Sequence, residues 1–287
     1  MSDVTAVIVS YNVRDLLLRC IRSLKDDGVE RIVVVDNDSR DGSAEAVEQH
    51  EPDVEVVRTG ANLGFGGGAN RGAALATTPY VLVVNPDVVV DPGSTKVLVA
   101  VLDEEPDVGL VAPRIDTPEG ELYPNVRRFP DMVDAAGHAF LHFLWPSNPF
   151  SRRYKMLDWD HATAADVDWV AGTHFLVRRT AWDEVGGFDE DFFMYGEDVY
   201  LCWSLHRAGW RVRYEPAARV EHAIGQSTDQ TPYRMIAAHH RSLLRYAAKT
   251  HTGWRRALLP VIAAALGVRT VLAWIQRRAR GKPHAAP

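Results

Sequence analysis

A chain of 287 residues with 46% hydrophobic and 24% charged residues can bury a sizeable core, and these fractions exclude disordered and fibrous classes. The net charge of −6 hides an asymmetry: residues 1–229 carry 21 basic residues against all 38 acidic ones, a balance of −17, whereas 230–287 carry 11 basic residues and no acid. A basic tail on an acidic body points to a tail that meets something anionic, phospholipid headgroups or the body itself. Two cysteines, Cys20 and Cys202, supply neither a disulfide framework nor a zinc ligand set, which fits a reducing compartment. Met1-Ser2-Asp3-Val4 runs straight into an apolar stretch without a basic n-region, so the expectation is a cytoplasmic protein rather than a secreted one.

In chain order, short Val- and Ile-rich runs occur at Val4–Val9, Arg31–Val35, Val54–Val57, Tyr80–Val84 and Val108–Val111. Segments of helical period separate them, notably Val13–Leu24 and Lys96–Leu102. This alternation predicts an α/β fold with a mainly parallel sheet flanked by helices. After about residue 115 the periodicity weakens through a Pro- and aromatic-rich stretch, Tyr123–Trp159, read as a partly helical excursion over the cleft. Order returns at Asp168–Thr173 and the strand-like Phe175–Val177. Tyr233–Arg280 is helical in composition, and its apolar part, Ala257–Ile275, is interrupted by Pro260, Gly267 and Arg269. With Arg255, Arg256, Arg277, Arg278 and Arg280 at its ends it reads as a helix in the headgroup region rather than a span, with packing on the body as the equal alternative.

Ligands of such sheets bind beyond the carboxyl ends of the strands. The residues there are Ser10-Tyr11-Asn12, Asp36-Asn37-Asp38-Ser39, Asn62-Leu63-Gly64 and Asn85-Pro86-Asp87. A carboxylate at Asp36 can accept from a base imide or a ribose, while Gly42 allows the turn and Ser43 can cap the next helix. Gly64-Phe65-Gly66-Gly67-Gly68-Ala69-Asn70 imitates a dinucleotide signature but follows the third strand, not the first, so it reads as backbone that approaches a ligand closely. Asp87 suits a hard divalent ion, Mg2+ or Mn2+, shared with a diphosphate, and His222 is a candidate second ligand. A second acidic corner, Glu197-Asp198, opens the run Val199–Ala208 and can supply a general base.

Taken in order, Val7–Asn12, Asp36–Ser43, Asn62–Phe65, Asn85–Asp87, Trp169–Thr173, Gly186–Glu190 and Tyr195–Asp198 resemble glycosyltransferase family 2, over roughly residues 4–250. Within that family the chain looks like rhamnosyltransferases that extend polyprenyl-diphosphate-linked sugars in cell-wall and polysaccharide assembly. The resemblance implies a GT-A fold, a nucleotide-sugar donor and an inverting single displacement. It implies base contact at Asp36, the metal motif at Asn85-Pro86-Asp87, a metal histidine near His222 and the base at Asp198, with Glu197 holding the acceptor or orienting the loop. Where many members carry Asp-x-Asp this chain has Asn85, and two residues beyond Asp198 it has Tyr200 in place of an Asp.

The expected organisation is a catalytic domain over 1–229, with a donor half to about 115 and an acceptor half after it, followed by a basic helical extension over 230–287. Ser10, Tyr11, Asn12, Asp36, Asn37, Asn62, Gly64, Phe65, Asn70, Asn85 and Asp87 are expected to face the donor, and Trp169, Gly172 and Thr173 the acceptor. The expected activity is metal-dependent transfer of a sugar, foremost L-rhamnose from a dTDP donor, to a lipid-linked or polysaccharide acceptor at the inner face of the membrane. Another sugar or a UDP donor, a non-catalytic nucleotide-sugar-binding module and a nucleotidyltransferase are the rivals, and a homodimer is left open. Nucleic-acid binding is not expected, because the basic residues lie in one apolar helical tail and the cleft is acidic.

Overall fold

The computed structural model describes residues 1–129, 145, 148–223 and 232–280. Strands and helices alternate first: β1 (Val4–Ser10), α1 (Arg14–Asp26), β2 (Arg31–Asp36), α2 (Ser43–His50), β3 (Glu55–Arg58), α3 (Gly64–Ala73) and β4 (Tyr80–Val84). Then come β5 (Val88–Val90), α4 (Ser94–Glu104), β6 (Val108–Asp116), β7 (Leu122–Tyr123), β8 (Val126–Arg127) and α5 (Pro149–Tyr154). The rest is β9 (Ala165–Asp166), β10 (Trp169–Val170), β11 (His174–Arg178), α6 (Arg179–Val185), α7 (Glu197–Ala208), β12 (Arg211–His222), α8 (Pro232–Thr250) and, after a tight helical turn over 253–258, α9 (Leu259–Arg280). Residues 130–144, 146 and 147 of the excursion expected between Tyr123 and Trp159 lie outside the described residues, and its described part holds β8 and the short helix α5.

The main sheet runs β3-β2-β1-β4-β11-β6-β12-β5. β1 pairs parallel with β2 and β4, and β2 with β3, as crossover helices require. β11 enters antiparallel between β4 and β6, so strands from both sides of residue 115 share one sheet. Buried side chains fill both faces. Val4, Ala6 and Ile8 of β1 pack with Leu17, Cys20, Ile21 and Leu24, which recur at helical spacing along α1. Val7, Val9, Val33, Val35 and Val83 face the other way, toward α3, α6 and α7.

Two local signals differ from the sequence reading. Ser43 does not cap α2. The Asp41 carboxylate does, accepting from the Ser43 backbone at 3.1 Å and from the Arg14 backbone at 2.9 Å. Asp27 similarly accepts from Gly93 at 2.5 Å and Thr95 at 2.9 Å, closing the start of α4. The glycines of α3 serve close packing as well: a Cβ on Gly72 would meet Val7 Cγ1 at 2.3 Å and Val35 Cγ2 at 3.0 Å, and one on Gly68 would meet Val9 Cγ1 at 2.8 Å. Glycine lets α3 lie down on β1.

α8 joins the body and α9 joins α8. Ser242 donates to the Met194 carbonyl at 3.0 Å, and Lys249 pairs with Asp189 at 2.7 Å and Asp191 at 2.8 Å. His240 Nδ1 meets Thr270 Oγ1 at 2.8 Å, and Trp274 donates to the Tyr233 carbonyl at 3.3 Å. α9 runs unbroken through Gly267 and Arg269, so these residues do not interrupt it, and Pro260 sits in its first turn, where proline is tolerated.

Gly72→Ala is expected to destabilise the protein by about 1–3 kcal/mol, because the added methyl must displace buried valines. Urea unfolding checks this, and an unchanged midpoint would contradict the packing role.

Candidate active site

Strand ends of β1 and β2 form one side of the cleft. Ser10 is paired in register with Asp36, and the Asn37 backbone donates to the Ser10 carbonyl at 2.9 Å. Asp36 Oδ2 accepts from the Ser39 backbone at 3.1 Å, and the Asn37 amide donates to the Gly64 carbonyl at 2.9 Å. Ser10 Oγ, Asp36 Oδ1 and Asn37 Oδ1 are buried and have no protein partner. Buried polar oxygens without partners are costly, so three at adjoining strand ends mark a polar ligand's position.

Other residues expected to face the donor shape the loops. Asn12 adopts φ 54°, takes an Asx-like role by accepting from the Arg40 backbone at 2.7 Å, and donates its backbone N–H to Ser39 at 3.0 Å. Tyr11 lies next to it, partly buried. Asn62 accepts from Gly64 N at 2.9 Å. Gly64, at φ 78°, passes so close to the Phe193 carbonyl that a Cβ would sit 2.1 Å from it. The Phe65 ring packs edge-on against Phe188 at 5.6 Å. Asn70 exchanges hydrogen bonds with the Phe188 backbone at 2.8 and 2.9 Å, so its amide clamps α3 to the 186–196 loop.

The metal candidates meet by strand register. β5 follows Asp87 directly and pairs antiparallel with β12, setting His222 opposite Val88. Asp87 Oδ1 and His222 Nε2 are 3.1 Å apart, both side chains nearly enclosed, and His222 Nδ1 has no partner. Among the described residues no third His, Cys, Asp or Glu joins them. A pair of this kind fits a hard cation that takes its remaining oxygens from a diphosphate and water.

The second acidic corner opens α7. Tyr195 and Gly196 take positive φ, 64° and 83°, and turn the chain so that Glu197 and Asp198 start the helix. Asp198 Oδ2 accepts from Gly172 N at 3.0 Å and Oδ1 from Val199 N at 2.8 Å. Burial raises the Asp198 pKa, opposed by those two N–H groups and by Arg127. Burial and then the Asp198 charge push Glu197 well above the ordinary carboxylate range, and its Oε2 has no partner. Glu197 therefore holds a proton more readily, and Asp198 is the carboxylate that ionises first.

One dipeptide links the corners. Antiparallel pairing of β11 with β4 sets His174 beside Val84, and the Asn85 N–H donates to the Thr173 carbonyl at 2.8 Å. Gly172, its neighbour, holds Asp198, and a Cβ there would sit 3.3 Å from Phe65 and 3.4 Å from Asp198 Cβ. A cavity of about 470 Å³ opens on Asp198, lined by Tyr123, Arg127, Trp169, Glu197 and, from α8, Ile236 and His239. Tyr123 packs edge-on against His222 at 6.0 Å, a second link between the corners. Trp169 is fixed by donating to the Arg128 carbonyl at 2.9 Å, and Thr173 is buried beside Asn85.

Sequence reasoning missed Arg127, Tyr154 and the α8 wall. Met235, Ile236, His239, Leu243 and Tyr246 recur at helical spacing and were a legible signal of a face turned to a ligand. Arg127 lies on a two-residue strand, too short for any pattern.

The model of the family described as "Glycosyl transferase family 2" matches residues 5–184. The chain belongs to glycosyltransferase family 2. It is 38% identical over 273 residues to the N-acetylglucosaminyl-diphospho-decaprenol L-rhamnosyltransferase of Mycobacterium tuberculosis (strain ATCC 25618 / H37Rv), covering 90% of this chain and 89% of that protein. It is 25% identical over 251 residues to rhamnosyltransferase WbbL of Escherichia coli (strain K12), covering 85% and 92%. Among solved structures it resembles the mannosyltransferase PcManGT of Pyrobaculum calidifontis in complex with GDP-Man and Mn2+, at TM-score 0.61 and 17% identity, covering 95% of this chain and 75% of that one. TarS 1–349 of S. aureus matches at TM-score 0.57 and 14% identity, covering 93% and 71%. The family 2 chain thus has a GT-A-type fold with a mostly parallel central sheet, and it is a glycosyltransferase.

With Asp198 as base, the sign of the pH effect follows: protonation abolishes the base, and the raised pKa brings that loss on at higher pH than for a solvated carboxylate. The acid limb of kcat/KM is expected to lie above the ordinary Asp value of about 4, with a plateau at higher pH. A limb at or below that value would contradict the buried pair as the base.

Proposed function

We propose that this family 2 enzyme transfers L-rhamnose from a dTDP donor to a lipid-linked sugar diphosphate acceptor of the N-acetylglucosaminyl-diphospho-polyprenol class, with inversion. The observation that carries the reading is the 38% match along nearly the whole of both chains, which spans both acidic corners and α8. The donor nucleotide is assigned to Ser10, Tyr11, Asp36 and Asn37, with Asn12, Asn62, Gly64, Phe65 and Asn70 shaping the surrounding loops. The acceptor sugar is assigned to the cavity beside Trp169, Gly172 and Thr173. Asp198 accepts the proton of an acceptor hydroxyl as that oxygen attacks the anomeric carbon. The bond to the donor diphosphate breaks and its oxygen keeps the electron pair. Glu197, protonated, can hydrogen-bond the acceptor. Asp87 and His222 would hold Mg2+ or Mn2+, which supplies charge stabilisation to the departing diphosphate.

We further propose that the protein sits peripherally at the cytoplasmic face of an anionic membrane. Among the described residues one helical stretch, Gly253–Gln276, is long and apolar enough to cross a bilayer, and none of its most apolar window is buried. Its outward residues include Val261, Val268, Val271, Leu272 and Ile275, each about half exposed or more. Arg269 lies on the partly buried side, so the helix turns apolar side chains outward. An outward apolar stripe flanked by basic residues, with Trp254 and Trp274 near its ends, matches a helix lying in the headgroup region.

A thermal-shift screen of dTDP- and UDP-sugars with and without Mn2+, followed by transfer assays, is expected to select dTDP-rhamnose. Stabilisation by another donor alone would overturn the sugar assignment. Asp198→Asn is expected to keep donor binding and lose transfer by about 10²–10⁴-fold; full activity would remove the base assignment. Val268→Glu with Leu272→Glu is expected to weaken partition onto anionic liposomes at least about tenfold, since each side chain forgoes about 1.5–3 kcal/mol of burial. Unchanged partition would contradict the membrane face.

A further inference from the structure

Arg127 is the enclosed cation of the cavity. Its guanidinium lies 5.2 Å from the Trp169 ring and 5.8 Å from the Tyr154 ring. Its Nε is buried without a hydrogen-bond partner. Among the described residues no carboxylate lies within ion-pair distance of it. Arg211 pairs with Glu105, Asp107 and Asp166, Arg114 with Asp116, and Lys249 with Asp189 and Asp191, whereas Arg127 makes no such ion pair. Enclosed charges are ordinarily satisfied, so a guanidinium whose Nε is buried without a partner has a donor left for an anion.

Arg127 acts on its neighbours. Burial, then His240, Arg127 and Arg269, push the His239 pKa down to about 4. Burial and Arg127 also lower that of Lys155. Glu197 and Asp198 are the acids that line the cavity, and they lie at its catalytic end. Met235, Ile236 and Leu243 of α8 add apolar lining to the same cavity. A cation that makes no ion pair, acts on the Asp198 carboxyl and shares its cavity with apolar side chains fits a ligand that is sugar, anion and hydrocarbon in sequence.

We infer that Arg127 is the binding residue for the diphosphate of a prenyl-diphosphate-linked acceptor, whose sugar lies at Asp198 and whose chain leaves along Met235 and Ile236. This rests on the lipid-linked reading above. Stacking on Trp169 fixes the guanidinium plane so that its N–H groups can grip a phosphate in pairs, which an ammonium cannot do. Trp169 thereby acts as a positioning residue for Arg127.

The test is calorimetric titration of the full-length protein, with EDTA present, using geranyl diphosphate and, separately, dihexanoyl phosphatidylglycerol. Geranyl diphosphate is expected to bind, Arg127→Gln to weaken it at least tenfold, and Arg127→Lys to weaken it less. Equal affinity in wild type and R127Q would overturn the assignment. So would equal binding of phosphatidylglycerol with the same loss in R127Q, which would make this a membrane-headgroup site. Histidine NMR of the wild type gives a second readout that needs no variant: bound diphosphate raises the His239 pKa, and no movement counts against the site. Arg127-dependent diphosphate binding without transfer from any rhamnosyl donor would sink the proposed function and leave the anion site standing.

Discussion

Two hydrogen bonds on one dipeptide hold this site together. The Asn85 N–H donates to the Thr173 carbonyl, and the Gly172 N–H donates to Asp198, so a single turn of chain ties the candidate metal corner to the candidate base. The first bond continues the β4–β11 ladder past its last pair, and the second satisfies a buried carboxylate. Gly172 suits this position because Phe65 and Asp198 both close on its Cα. Moving β11 by one residue would turn the Thr173 carbonyl from Asn85 and leave Asp198 without one of its two backbone donors.

Charge is distributed to match. The Glu197-Asp198 pair is buried, which raises both carboxyls and holds Asp198 as a base stronger than one in water. Gly172, Val199 and Arg127 restrain the rise at Asp198. At the ends of β1 and β2, buried oxygens of Ser10, Asp36 and Asn37 have no protein partner. Arg127 shares the cavity of Glu197 and Asp198 with apolar residues of α8. The cleft thus reads as polar, acidic and cationic in turn, an order suited to a nucleotide, a reacting hydroxyl and an anionic lipid link.

Much of this was legible in the residues. Alternating Val-rich runs gave the parallel strands β1 to β4 nearly to their ends, because buried parallel strands are apolar throughout. Polar strand ends marked Ser10, Asp36 and Asn85-Pro86-Asp87 as candidates for the site, and the structure places them at the ends of β1, β2 and β4. The placement of His222 against Asp87 could not be read, since it depends on β5, three residues long and antiparallel to β12. Insertion of β11 between β4 and β6 was equally hidden, because register is set by contacts distant in sequence. The glycines of α3 were read as ligand-facing, whereas several of them let helix and strand approach. Arg127, on the two-residue strand β8, carried no local signal.

The central claim is that both acidic corners act on one sugar–phosphate bond. Its most direct test is the crystal structure of the protein soaked with dTDP and Mn2+, read at the manganese absorption edge. The account requires an anomalous peak between Asp87 and His222, touching the diphosphate, with the open end of the diphosphate facing Asp198. A peak on other residues, or a diphosphate turned away from Asp198, would contradict it.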